Sequence, residues 1–160
     1  MIKIREIQEK DNSALAKLIR ESLKANQLDI PGTAYFDAEL DNLSAYYQSS
    51  RQRQYFVVLD ENGEVSGGCG IAEYDSDNRV AELQKLYLTN TVQGHHLSYK
   101  LLTKVIEFAN QVGYQQLYLE THHNLASAMH IYQTFGFEEL SQPLNNGEHS
   151  AMDHFFILKL

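Results

Sequence analysis

The stretch Tyr118-Leu119-Glu120-Thr121-His122-His123-Asn124-Leu125-Ala126-Ser127-Ala128-Met129-His130-Ile131-Tyr132-Gln133-Thr134-Phe135-Gly136-Phe137 decides the fold. Leu117 and Leu119 fall on one side of a period-two pattern, which predicts a half-buried strand over Gln115–Glu120. A polar connection leads into a helix from about Leu125 to Phe135. Gly136 follows it and is the residue type that ends helices, because it enters the left-handed region without a Cβ penalty. Phe137–Leu140 then reads as a strand again.

Upstream, Leu86-Tyr87-Leu88-Thr89-Asn90-Thr91-Val92-Gln93-Gly94-His95-His96-Leu97-Ser98 repeats the strand–loop–helix order. The strand spans Val80–Leu88, with Val80, Glu82, Gln84 and Leu86 alternating against Ala81, Leu83, Lys85 and Tyr87. The helix carries an apolar stripe of Leu97, Leu101, Val105, Phe108, Ala109 and Val112 and stops at Gly113. Two strands joined by such a helix form a parallel crossover pair. The first half of the chain opens with a short strand (Ile2, Ile4, Ile7). A helix capped by Asp11 or Ser13 follows, bearing Leu15, Leu18, Ile19 and Leu23. Pro31-Gly32 breaks it. A second helix is expected over Phe36–Tyr47, with Phe36, Leu40, Leu43 and Tyr47 on one face. Tyr55–Leu59 and Val65–Tyr74 pair through an Asn62-Gly63 turn, and His154–Leu160 closes the chain. The order β-α-α-β-β-β-α-β-α-β-β gives an α/β fold of α+β character, a mixed sheet with helices on both faces.

The chain has 160 residues, 43% hydrophobic and 21% charged, with no repeat or linker to divide it, so residues 1–160 read as one domain. A net charge of −8 argues against nucleic acid as a partner, since phosphate binding needs clustered Lys and Arg. No apolar run reaches the roughly 18–20 residues of a membrane span, and the N-terminus has no apolar signal core. One cysteine, Cys69, rules out an internal disulfide and a Cys-based zinc cluster. A reducing cytoplasm is the expected compartment.

With Leu119-Glu120-Thr121, Asn124, Ala128, Tyr132 and Gly136-Phe137 in register, and with Glu82-Leu83-Gln84-Lys85-Leu86-Tyr87-Leu88 and Gln93-Gly94 upstream, the sequence resembles the GNAT superfamily of acyl-CoA-dependent N-acyltransferases. The resemblance covers nearly the whole chain in element order. It implies acetyl-CoA as co-substrate, bound by Leu86, Tyr87 and Leu88 of the strand edge, by Gln93, Gly94, His95, His96, Leu97, Ser98 and Tyr99 at the pyrophosphate loop and helix start, and by Asn124 and Tyr132. A helix N-terminus offers unpaired N–H groups and partial positive charge to phosphate. The family loop runs Gln/Arg-x-x-Gly-x-Gly/Ala, so His96 and Ser98 stand at its two small positions. The His96 ring would hold a ligand off the backbone or donate to phosphate, and the Ser98 hydroxyl would donate.

The implied reaction is direct attack of a primary amine on the thioester in a ternary complex. An alkylammonium of pKa near 10.4 is neutral in about one molecule in 2,500 at pH 7, equivalent to about 4.6 kcal/mol, so a base matters. Glu82 is the first candidate and Glu120 the second; a solvated residue on an alternating strand is the competing account of Glu82. A backbone N–H near Leu88 would meet the thioester oxygen where the fourth and fifth strands splay. Tyr132 matches the family's acid for the departing thiolate, with core packing beside Ala128 and Phe135 as its alternative. Asn124 would fix the pantetheine arm or the loop, or cap the following helix.

Seven histidines invite a metal reading, but the adjacent pairs His95-His96 and His122-His123 do not share a face, and no metal is expected. His122 or His123 would serve as an auxiliary base. Cys69 reads as a small packed strand residue. Gln27–Tyr35 and Ser141–His149 would border the acceptor, a small-molecule or peptide amine. The sequence leaves a homodimer open, and also a non-catalytic acyl-CoA-binding module of the same fold.

Overall fold

The computed structural model describes residues 1–92, 96–145, 147 and 149–160, apart from the side chain of Ser127. Seven strands form one sheet: β1 (Lys3–Glu6), β2 (Gln54–Leu59), β3 (Val65–Asp75), β4 (Val80–Leu88), β5 (Gln116–Thr121), β6 (Glu138–Leu140) and β7 (His154–Lys159), in the order β1-β2-β3-β4-β5-β7-β6. All neighbours are antiparallel except β4 and β5, the crossover pair. Helices α1 (Asn12–Ala25) and α2 (Leu43–Gln48) cover one face, where Leu15, Ile19, Leu23 and Leu43 pack on Tyr55, Val57 and Ala72. Helices α3 (Leu97–Val112) and α4 (Ala126–Thr134) cover the other, where Leu101, Val105 and Tyr132 pack with Ala81, Leu83, Leu117 and Phe156. Among the described residues no helix is long and apolar enough to cross a membrane.

Three local expectations change. The second helix begins only at Leu43, after 3-10 turns at Ala34–Phe36 and Leu40–Asn42. Between them Asp37 takes an extended conformation and turns inward to charged partners, which breaks the helical path and leaves Phe36 61% exposed while Leu40, Leu43 and Tyr47 are buried. Asp11 does not cap α1 with its side chain. Its carboxylate accepts from the Gln8 N–H (2.8 Å) and from Arg5 (2.7 and 2.9 Å), closing the turn before the helix.

The third change positions the site. Strict alternation fails in β4, because Lys85 has φ +52 and forms a bulge: Gly70 pairs with Gln84, but Gly68 pairs with Tyr87. One extra residue reverses the faces beyond it. Ala81 and Leu83 point to the α3 side and Glu82 and Gln84 to the α1 side; after the bulge Leu86 and Leu88 take the α3 side and Tyr87 the α1 side. The bulge is held from behind. The Tyr55 hydroxyl donates to the Lys85 carbonyl (2.9 Å) and the Tyr47 hydroxyl to Gln84 Oε1 (2.8 Å). Both rings cross β3 at Gly68 and Gly70, where a Cβ would lie 2.3 Å from the Tyr55 ring and 2.6 Å from the Tyr47 hydroxyl. Gly68→Ala is expected to cost about 1–3 kcal/mol through this overpacking, read as a lower denaturation midpoint at unchanged slope.

Candidate active site

β4 and β5 are paired only at Val80–Gln116, Ala81–Leu117 and Glu82–Tyr118. Beyond that register they separate, and a cleft of about 840 Å3 opens between α1 on one side and α4 on the other. Thr89 donates its N–H toward β3, to the Ser66 carbonyl (2.9 Å), so alternation directs the Leu88 N–H to the cleft edge of β4.

Most of the residues singled out in the sequence meet here. Glu82, Glu120, Leu86, Tyr87, Leu88, Ser98, Asn124 and Tyr132 all line the cleft. His96, Leu97 and Tyr99 line a smaller pocket that shares Leu88, Ser98 and Ile131 with it. The Leu97 side chain is buried in the core and the Tyr99 ring packs on Phe135. His96 stands at the start of α3 with φ +56, the left-handed conformation that a glycine at this position would adopt freely. Gln93, Gly94 and His95 lie outside the described residues.

Glu82 accepts a hydrogen bond from Gln84 Nε2 (2.8 Å); burial pushes its carboxyl above the ordinary range, and Gln84 only partly offsets this. Glu120 accepts from the Tyr118 hydroxyl (2.7 Å). Tyr132 is buried against Phe137 and Phe156, and its hydroxyl has no hydrogen-bond partner among the described residues. The ring therefore packs in the core while the residue lines the cleft. Burial pushes its phenol well up, so the hydroxyl keeps its proton. Cys69 is buried in β3 and burial raises its thiol too, which leaves no thiolate to attack a thioester.

A family model for GNAT acetyltransferases matches residues 15–137. The chain belongs to the GNAT acetyltransferase family. An uncharacterized N-acetyltransferase of Escherichia coli, YjgM, is 35% identical over 136 residues, covering 84% of this chain and 80% of that protein. A GNAT-family acetyltransferase of Staphylococcus aureus has the same fold, with a TM-score of 0.88 at 21% identity over 99% of both chains. So does a phosphinothricin acetyltransferase of Sinorhizobium meliloti, solved in complex with AcCoA, with a TM-score of 0.76 at 19% identity over 99% of this chain and 88% of that one. As a member of this family the protein is an acyltransferase.

The acetyltransferase also holds groups that the sequence reading passed over. Lys85, 3% exposed, donates from Nζ to Asp37 Oδ2 (2.8 Å) and Glu39 Oε1 (3.4 Å). His149 Nε2 lies 2.8 and 3.1 Å from the two Asp37 oxygens. A lysine in the middle of strand β4 was the available signal, because a buried ammonium requires an acidic partner somewhere. Burial alone would raise the Asp37 carboxyl, yet the His149 hydrogen bond and the Lys85 and His149 charges hold it below the ordinary range. For His149 burial alone would lower the imidazole, and the Asp37 hydrogen bond and charge reverse this to a net rise. Asp37 therefore contributes stability that is complete above its unfolded pKa of 3.8 and fades as pH falls through its lower folded value. The His149 contribution is complete below its unfolded 6.5 and fades as pH rises through its folded value. Urea unfolding across pH should show maximal stability between these limits, and Asp37→Asn should flatten both shoulders.

Two further expectations change. The Asn124 side chain does not cap α4; its Nδ2 donates to the Asn26 carbonyl (2.9 Å) and ties the start of α4 to the end of α1. His122 and His123 do not line the cleft. They stack on each other beside Asp153, with one ligating atom of each of the three within 4.8 Å of the others. His122 Nδ1 accepts the Asn124 N–H (3.0 Å), which places the neutral ring's proton on Nε2, the atom facing Asp153. His123 Nδ1 pairs with Asp153 as well. The group acts as a clamp between the end of β5 and the start of β7.

Proposed function

We propose that this chain transfers the acetyl group of acetyl-CoA to a primary amine by direct attack in a ternary complex. The observation that carries this reading is the splayed β4–β5 cleft, with Glu82 and Glu120 on the α1 side of the sheet and Tyr132 from the α4 side. The residues present suit the coenzyme. The open β4 edge and α4 enclose a channel for a pantetheine arm, and Ser98 offers a hydroxyl in the first turn of α3, a 16-residue helix whose N-terminus favours phosphate.

Glu82 takes a proton from the acceptor ammonium, with Glu120 beside it on the next strand. A β4 backbone N–H near Leu88 donates to the thioester oxygen as charge develops there. Tyr132 gives a proton to the departing sulfur. The acceptor fits best as a small cationic amine, since Lys85 is already paired with Asp37 and Glu39 while, among the described residues, Glu82 and Glu120 accept hydrogen bonds only from uncharged donors.

Thiol release from acetyl-CoA across a panel of amines tests the reading. With the best amine, Tyr132→Phe should lower kcat by about 10–100-fold with little change in coenzyme Kd, the signature of a lost proton donor. Tight acetyl-CoA binding without acetylation of any amine would instead make the chain a binding module.

A further inference from the structure

Asp37, His149 and Lys85 come from three separate segments: the α1–α2 connection, the β6–β7 connection and the β4 bulge. Lys85 and His149 line the cleft that also presents Glu82 and Glu120, and Asp37 is bonded to both of them. His149 is bound to Asp37 through Nε2, and its Nδ1 has no partner among the described residues. In the neutral ring Nε2–H then donates to Asp37 and Nδ1 carries the lone pair. A base oriented by a buried carboxylate is a recurring catalytic arrangement, and here Lys85 fixes the carboxylate in turn. The His149 side chain is 24% exposed, so the ring reaches both cleft and solvent.

We infer that the Asp37–His149 dyad is the proton exit of the acceptor site, with His149 Nδ1 receiving from Glu82 the proton taken off the substrate ammonium. This rests on the transferase reading above. The steps balance as follows. Glu82 takes one proton from R–NH3+, leaving R–NH2, whose lone pair forms the C–N bond at the thioester carbonyl carbon. The C–S bond breaks with its electron pair on sulfur, Tyr132 protonates that sulfur, and the second proton lost by nitrogen restores Tyr132. Glu82 passes its proton to His149 Nδ1, directly or through one water, and the imidazolium held by Asp37 releases it to solvent. The net change is R–NH3+ plus acetyl-CoA to the amide, CoA thiol and one proton.

Among the described residues, the charged groups acting on His149 are Asp37 from the α1–α2 connection and Lys85 and Glu82 from β4, with Glu39 bonded to Lys85 and Glu120 of β5 close to Glu82. Burial makes Glu82 hold its proton more firmly than a solvated carboxylate would, and the Asp37 bond makes His149 a better acceptor than a free imidazole. The Glu82 shift narrows the gap in basicity between donor and acceptor, while the His149 shift keeps His149 the more basic of the two, so the proton passes from Glu82 to His149.

The test is His149→Gln in the full chain, assayed with acetyl-CoA and the best amine. Expected are a kcat about tenfold lower, a displaced acidic limb of the kcat–pH profile, and restoration by added imidazole, which a merely structural role would not give. His149→Asn should behave alike. Independently of activity, the His149 ring proton resonance should titrate above the ordinary histidine range in the wild type and shift in Glu82→Gln. The inference is overturned if His149→Gln keeps the wild-type rate and profile, or if its loss is indifferent to imidazole. It is also overturned if the resonance ignores Glu82→Gln. A wild-type chain that acetylates no amine would remove the transferase reading itself, and this inference with it.

Discussion

Glu82→Gln is expected to lower kcat/KM for amine acetylation by about 10²–10⁴-fold at neutral pH, the range for loss of a general base. The substitution keeps size and hydrogen bonding, because the amide oxygen can still accept from Gln84 Nε2. What it removes is the basicity of the carboxylate, because an amide does not take up a proton near neutral pH. The deficit should narrow as pH approaches the amine pKa, where solvent supplies neutral amine and the base is no longer needed. Acetyl-CoA affinity should change little, since the chemistry at Glu82 concerns the acceptor. Steady-state profiles of wild type, Glu82→Gln and Glu120→Gln check this. A parallel drop at every pH would mean that Glu82 only shapes the pocket, and a larger, pH-dependent loss in Glu120→Gln would move the base one strand over.

Lys85→Met is expected to destabilise the fold by about 3–5 kcal/mol, the usual result of removing one partner of a buried ion pair. Met matches the length of the lysine stem and accepts the same backbone, so the loss would come from Asp37, left 5% exposed without its ammonium. At acid pH, where Asp37 protonates, the deficit should shrink. The double variant Lys85→Met/Asp37→Asn should recover much of the loss, because no uncompensated charge is then buried. Urea denaturation at neutral and acid pH measures all three. Recovery by the double variant would also show that the cluster serves the site more than the stability of the fold.

Legibility differed by residue. β4 could be read from Val80 to Leu88 because its pattern is local, and the α3 stripe and the stop of α4 at Gly136 are likewise signals carried within one element. Glu82, Glu120, Asn124 and Tyr132 could be named because the sequence resembles the GNAT family in register at these positions, and the resemblance implies their roles. Asp37 and His149 could not. They lie 112 residues apart in sequence, and neither sits in a pattern that points to the other. Phe36 was misplaced for the same reason: its apolar spacing to Leu40 fits a helix, but the distant pull of Lys85 and His149 on Asp37 outweighs that local preference.

By itself the sequence determined the order of elements and the parallel crossover of β4 and β5, since these follow from periodicity and turn chemistry over short range, and its motifs carried the resemblance to the family. Only the tertiary structure decided which face each β4 residue presents beyond Lys85. That depends on a bulge created by pairing with β3 and supported by Tyr47 and Tyr55 across two glycines. It also decided that Asp37 meets Lys85 and His149, which line the cleft. A buried charge must find its counter-charge wherever the fold brings one, and sequence distance places no limit on where that is.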